Sequence, residues 1–220
     1  NDLISLYVLL SKEENEDLRN QVIQYASKNG LTYIPDTSGT NINVQIIDTD
    51  KIDITKTQYS INNSIEHEDK PVLIIMDYAF GEQAYETMDE LLKPFKCKNG
   101  KKYYLNVDSV SIMGKAGILE GGKGDIMIPC AHVNEGTADN YPFENELTKV
   151  MFEGNNIPVF EGPMITVLGT SLQNRDLLKF FHESTWQAIG LEMEGAYYQK
   201  AIQSASKIRK SINPNVKVRY

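Results

Sequence analysis

Apolar residues along this chain come in short blocks, and their spacing switches between the repeat of a strand and that of a helix. Leu3 to Leu10 is an apolar run that suits a strand or a first helical turn. Ser11 with Glu14 three places later has the spacing of a capping box. A helix is predicted from Glu13 to Asn29, with Leu18, Val22, Tyr25 and Ala26 as its stripe and Gly30 as its stop. Residues 31–70 are polar, rich in Asn, Asp, Ser and Thr, with weak strands at Val44 to Ile47 and Ile52 to Ile54; they read as a surface elaboration. Val72 to Met76 is a continuous apolar run of the kind buried on both faces of a parallel sheet, and it ends at Asp77-Tyr78-Ala79-Phe80-Gly81. Ala84, Met88, Leu91 and Phe95 then predict a helix, closed by Pro94 and Asn99-Gly100, so strand, glycine loop and helix open a βαβ unit.

The second half continues the alternation. Val107 to Met113 is a predicted strand delivering Gly114-Lys115-Ala116-Gly117, and Asp125 to Pro129 another, followed by a loop from Cys130 to Tyr141. Phe143 to Glu153 reads as a short helix with Leu147, Val150 and Met151 inward. Met164 to Leu168 is a buried strand ending at Gly169-Thr170-Ser171-Leu172, and Leu177, Leu178 and Phe181 lie on the helix after it. Trp186, Ala188, Ile189 and Leu191 suit a buried strand, whereas Tyr197, Ala201, Ala205 and Ile208 are spaced as on a helix. The change of period falls on Glu194. Val216 to Tyr220 alternates like one more strand. Strands alternating with helices point to the α/β class.

With 220 residues the chain is long enough for one α/β core. A net charge of −8 speaks against a general nucleic-acid or anionic-membrane surface and leaves a small molecule as the expected partner. Cys97 and Cys130 form no C-x-x-C pair, so neither a disulfide framework nor a zinc ribbon is indicated, and a reducing cytoplasm is the expected setting. No apolar run approaches the length of a membrane span.

The chemistry concentrates in Gly190-Leu191-Glu192-Met193-Glu194-Gly195-Ala196. Two carboxylates at the carboxyl end of a strand, beside a glycine that lets a ligand approach the backbone, suit a polyhydroxyl partner or a metal. His132, Glu135 and Asp139 have loosely metal-like spacing but lack further histidines or cysteines, so no metal and no cofactor is expected. Gly117 to Lys123 spells G-x-x-x-x-G-K, yet Gly124 stands where Ser or Thr is needed and a strand follows where a helix should, which excludes a phosphate loop.

The Gly190–Ala196 run resembles the ribose-binding signature of the purine nucleoside phosphorylase and methylthioadenosine/adenosylhomocysteine nucleosidase superfamily, in which a Met-Glu pair grips the sugar. Ile112 to Leu119 followed by Gly124-Asp125-Ile126-Met127-Ile128-Pro129 is similar to that family's glycine-rich turn and its next strand. The resemblance covers roughly residues 71–220, leaving 1–70 as an N-terminal part or appended region. It implies a three-layer sandwich with a mixed central sheet, usually assembled as a homo-oligomer. It further implies a purine nucleoside or nucleotide as ligand, with phosphate in some members, and cleavage of the N-glycosidic bond. On this reading Glu194 holds the ribose hydroxyls, Met193 packs on the sugar, and Glu192 either supports from behind or points away. Gly114, Lys115, Ala116 and Gly117 form the ligand cradle, and Leu172 takes the place of an aromatic residue beside the base. Phe80 and Gly81 either line the site or merely make a tight turn. The aspartate that protonates the base in the family is expected beyond Tyr220. Ile112 occupies the place of a phosphate-holding arginine, and Arg19, Arg175, Arg209 and Arg219 match no such position, which favours hydrolysis over phosphorolysis. The alternative function is a non-catalytic nucleoside-binding or regulatory module.

Overall fold

A computed structural model describes residues 2–52, 70–137, 139–169, 171 and 174–220. The chain divides into two compact units, Asn1–Asp77 and Tyr78–Tyr220.

In the first unit, helices α1 (Asp2–Ser11) and α2 (Glu16–Lys28) precede an antiparallel sheet of β1 (Leu31–Ile34), β2 (Val44–Asp48) and β3 (Val72–Met76), in that order. The early apolar run is therefore helical. Ser11 does not open α2: it still belongs to α1, and its hydroxyl donates to the Val8 carbonyl at 3.0 Å, which spends the group a capping box needs. Gly30 does end α2, at φ +96°, and a Cβ there would lie 2.5 Å from the Asp48 carbonyl oxygen. The stripe predicted on α2 is not buried. Leu31–Ile34 is a strand that the polar composition around it conceals. Thr49–Lys51 is a single 3₁₀ turn and Ile52 leaves it extended; the rest of the strand expected at Ile52 to Ile54 lies outside the described residues.

Val72 to Met76 is a strand, as its composition predicts, but not a parallel one buried on both faces. It pairs antiparallel with β2 and forms an edge of the sheet, and Val72 to Ile75 are 40–56 % exposed. An apolar run reports that a segment favours extended backbone and does not report which strand lies beside it. Asp77 closes the pair by accepting the Asn43 backbone N–H at 3.1 Å and side-chain amide at 2.7 Å.

In the second unit α3 (Gln83–Leu91) leads into a small hairpin of β4 (Phe95–Lys96) and β5 (Lys102–Tyr103), so the expected βαβ crossover is absent. Phe95 is exposed and Leu92 takes its place in the interior. Two strands pair in parallel on their own, β6 (Ser109–Ser111) and β12 (Lys217–Arg219). The main sheet contains β7 (Gly117–Ile118), β8 (Ile126–Asn134), β9 (Asn140–Pro142), β10 (Val159–Thr166) and β11 (Gly190–Glu192), in the order β7-β11-β10-β8-β9. Its three central strands are parallel and its two outer strands antiparallel. Helices α4 (Arg175–Glu183) and α5 (Gly195–Gln203) complete a three-layer α/β sandwich. No helix among the described residues is long and apolar enough to cross a membrane.

Register explains the layers. Val133, Ile165 and Leu191 are cross-strand partners or neighbours in one row, and they bury against Phe181, Leu177 and Leu178 of α4. Residues one step along the strands point the other way. His132, Thr166 and Glu192 therefore share the face toward α5, where the Thr166 hydroxyl accepts the Ala196 N–H at 2.8 Å. The segment from Phe143 to Glu153 forms only a 3₁₀ turn at Lys149–Phe152, with Val150 and Met151 exposed, so the inward helix expected there does not exist.

Helix α5 buries Ala196, Tyr198, Gln199, Ala201 and Ile202, then widens into a π turn at Ser204–Ile208. The extra residue shifts the helical phase and turns Ile208 out to solvent, which breaks the stripe predicted through Tyr197 and Ile208. The Tyr198 hydroxyl accepts the buried Ala79 N–H at 3.0 Å, which ties α5 to the Tyr78–Gly81 loop. Asp89 of α3 pairs with Arg209 and, at 3.2 Å, with Lys93. Tyr198→Phe leaves the Ala79 N–H buried and unpaired; equilibrium denaturation of this variant should show a loss of about 1–3 kcal/mol.

Candidate active site

Strand β11 is three residues long, Gly190–Glu192, and is packed tightly from its first residue. Gly190 lies where a Cβ would sit 2.5 Å from the Met127 sulfur and 3.0 Å from the Gly117 carbonyl oxygen. After Glu192 the chain turns through Met193 and Glu194 into α5, so the change of period read from the sequence at Glu194 is the residue that caps the helix. Gly195 opens α5 with its Cα against His132, where any Cβ would overlap the imidazole ring.

Glu192 is buried beneath this corner. One of its oxygens, Oε2, accepts the N–H of Glu194 at 2.6 Å and that of Gly195; the other, Oε1, accepts the Thr166 hydroxyl and faces His132 Nδ1 at 3.2 Å. Burial pushes the Glu192 carboxyl upward, but His132, Thr166 and the Gly195 N–H together outweigh it and hold the group below its ordinary range. His132 stacks parallel to Phe143 at 5.6 Å between centroids, with the Tyr220 ring 4.4 Å away on a tilted plane. Asn145 secures this wall from outside, donating to the Pro129 and Tyr220 carbonyls at 2.9 and 3.1 Å.

Glu194 is as little exposed as Glu192 but has different partners. Its Oε1 accepts the Gly81 N–H at 3.0 Å. Burial pushes its carboxyl above the ordinary range; the Gly81 and Met193 backbone bonds pull down, and the charge of Glu192 adds to the rise. Two carboxylates two residues apart are thus driven in opposite directions, a pattern that separates a held anion from a group able to change state. Around them stand Tyr78, Tyr198 and Tyr220, whose phenols are all pushed upward, first by burial and then by the nearby carboxylates.

Of the residues expected at the site, the structure brings Gly81 and Glu194 into direct contact. Phe80, beside Gly81, is largely exposed. Met193 packs partly into the apolar cluster under α4. Gly114 lies against Tyr78, with an added Cβ 3.3 Å from the phenol oxygen. Lys115 and Ala116 continue as an exposed, irregular stretch. Gly117 is not in a turn: it is the first residue of β7 and pairs with Leu191. Leu172 lies outside the described residues.

His132 is not a loop residue either. Strand β8 runs on through Cys130 to Asn134, and His132 is fully buried in it. His132, Glu135 and Asp139 diverge, because Glu135 accepts the Ser171 hydroxyl at 2.7 Å and the Leu168 N–H at 2.9 Å, while Asp139 accepts from Thr137 at 2.9 Å. Among the described residues no group of three metal-ligating side chains gathers. Sequence reasoning missed Thr166, although a hydroxyl between Ile165 and Val167 in an apolar strand was a visible signal. It also missed Tyr78 and Tyr198, which no spacing distinguishes from core aromatics.

Comparison with solved structures shows the same fold. Futalosine hydrolase of Helicobacter pylori strain 26695 matches with a TM-score of 0.51 at 15% identity, over 83% of this chain and 75% of that one. An S-adenosylhomocysteine nucleosidase from Streptococcus pyogenes, in complex with 5-methylthiotubericidin, matches with a TM-score of 0.55 at 13% identity, over 84% and 74%. An MTA/SAH nucleosidase from Colwellia psychrerythraea 34H, in complex with adenine, gives 0.51 at 12% identity, over 83% and 72%. At these identities the likeness is one of fold. No curated protein matches the sequence. The profile of a family of unknown function, DUF6909, matches residues 5–219, and the chain belongs to that family.

Proposed function

We propose that this protein cleaves the N-glycosidic bond of a purine nucleoside, with water as the acceptor. The observation that carries the reading is the contact between Glu194 and Gly81. It fixes one carboxylate oxygen at the carboxyl end of parallel strands, where open α/β sheets bind ligands. A carboxylate accepts hydrogen bonds from two vicinal hydroxyls, and its charge favours the cationic, oxocarbenium-like sugar that forms as the bond to the base breaks. Met193 supplies an apolar contact beside it. Gly114 and Ala116 offer backbone to the ligand with little or no side chain in the way, and Lys115 between them can meet an anionic 5′ group. The solved nucleosidases of the same fold, one holding adenine, support a purine nucleoside as substrate class.

A second reading is a nucleoside-binding module without turnover. It is favoured by the groups around Glu194: among the described residues these are tyrosines that burial keeps protonated and a Glu192 held as the anion. None of them readily gives up a proton to a leaving base. Incubation with adenosine and 5′-methylthioadenosine, with and without phosphate, separates the readings. Free base without phosphate supports hydrolysis, and binding by calorimetry without free base supports the module.

Glu194→Ala should lower kcat/KM, or affinity if there is no turnover, by about a hundredfold or more while the circular dichroism stays unchanged. Equal affinity in wild type and variant would remove Glu194 from the site.

The pH dependence has opposite signs for binding and for stability. Ribose binding needs the anion, so affinity should fall on acidification at a pH above the ordinary carboxyl range. Stability runs the other way, because a carboxyl raised in the folded state contributes fully below its unfolded pKa and loses that contribution as pH rises through the folded value. Glu194→Gln should therefore gain stability relative to wild type near neutral pH and lose the advantage in acid, as read by denaturation midpoints across pH.

A further inference from the structure

Glu192 presents a counting problem that the proposed function leaves open. An ionised carboxylate has about four lone-pair positions. Four donors already reach this one: the N–H groups of Glu194 and Gly195, the Thr166 hydroxyl and His132 Nδ1. The group is also buried, with the His132 ring closing one side and the first turn of α5 the other. No capacity is left for a sugar hydroxyl, so its place in the Glu-Met-Glu run does not make it a ligand contact.

We propose that Glu192 is a positioning residue, a buried anion that holds the Met193–Glu194 corner by binding its backbone amides, with His132 and Thr166 holding the anion in turn. This rests on the reading of Glu194 as the residue that grips the ligand. Three consecutive N–H groups leave the corner, those of Glu194, Gly195 and Ala196, and at a helix start such groups have no intrahelical partner. Glu192 takes the first two and Thr166 the third. The donors come from adjacent strands of one sheet face, so the place of the corner is dictated by β8, β10 and β11 together. Helix-end N–H groups favour a negative charge, and the same carboxylate supplies it. Because the charge also lies close to Glu194, Glu192 acts on its neighbour twice, through geometry and through field. Among the described residues the other titratable groups facing Glu194 are Tyr198 and Tyr78.

The near-isosteric Glu192→Gln tests this, alongside Thr166→Val, which deletes the bridging hydroxyl, and Thr166→Ser, which keeps it. Expected for Glu192→Gln is an upfield move of the Glu194 and Gly195 amide protons in NMR spectra, together with a fall in the Glu194 side-chain titration midpoint read by carbon-13. Thr166→Val should move the Ala196 amide, and Thr166→Ser should restore it. These readouts need no ligand, so they judge the positioning role even if no nucleoside binds and the reading of Glu194 fails. With a nucleoside substrate, Glu192→Gln should lower kcat on the order of a hundredfold, the scale of a misplaced reacting group, with KM little changed. The proposal is overturned if the amides and the Glu194 midpoint stay where they are. It is equally overturned if KM rises with kcat intact, the mark of a residue that contacts substrate directly.

Discussion

The second unit depends on one buried negative charge and the backbone amides that surround it. A carboxylate placed under a helix start is costly to bury and is tolerated only when its hydrogen-bonding capacity is filled. Here it is filled from two directions at once: by the helix, through amides that would otherwise lack partners, and by the sheet, through a hydroxyl and an imidazole. That arrangement converts a desolvation penalty into a fixed angle between β11 and α5. Everything nearby follows from the angle. Tyr198 reaches the Tyr78–Gly81 loop from the next turn of the helix, and the loop in turn presents Gly81 to Glu194.

Two acids in Glu-Met-Glu thus divide the work by where the chain bends between them. Strand alternation puts Glu192 toward the interior, and the break in that alternation frees Glu194 to face the strand ends. The three tyrosines around them extend the polar character of the site while contributing ring surface, and Tyr78 packs edge-on to Tyr198 at 5.3 Å.

How much of this was legible beforehand varies by kind of signal. The strand-to-helix transition at Glu194 was readable because two periodicities meet there. The strand nature of Val72 to Met76 was readable, but its partner was not, since five apolar residues in a row fit an antiparallel edge as well as a parallel centre. His132 was misread for a physical reason. Cys130-Ala131-His132-Val133-Asn134 looks like loop because its polar residues suggest solvent, whereas His132 and Asn134 are both buried, His132 with Nδ1 against Glu192 and Asn134 accepting the Gly136 N–H. Composition reports polarity and cannot report satisfaction. The π turn after Gln203 was equally hidden, for no residue type demands it.

Gly195 carries a consequence for sequence variation. Its missing side chain is occupied space: the imidazole of His132 fills it. A side chain at position 195 is therefore conditional on what stands at position 132, and on the Glu192 carboxylate beside it. A relative that carries alanine or serine at the start of this helix has to carry something slimmer than histidine on the facing strand, and one that keeps histidine has to keep glycine. Positions 63 residues apart in sequence are expected to drift as a pair, so their joint pattern among family members would record the corner's geometry without any structure being solved.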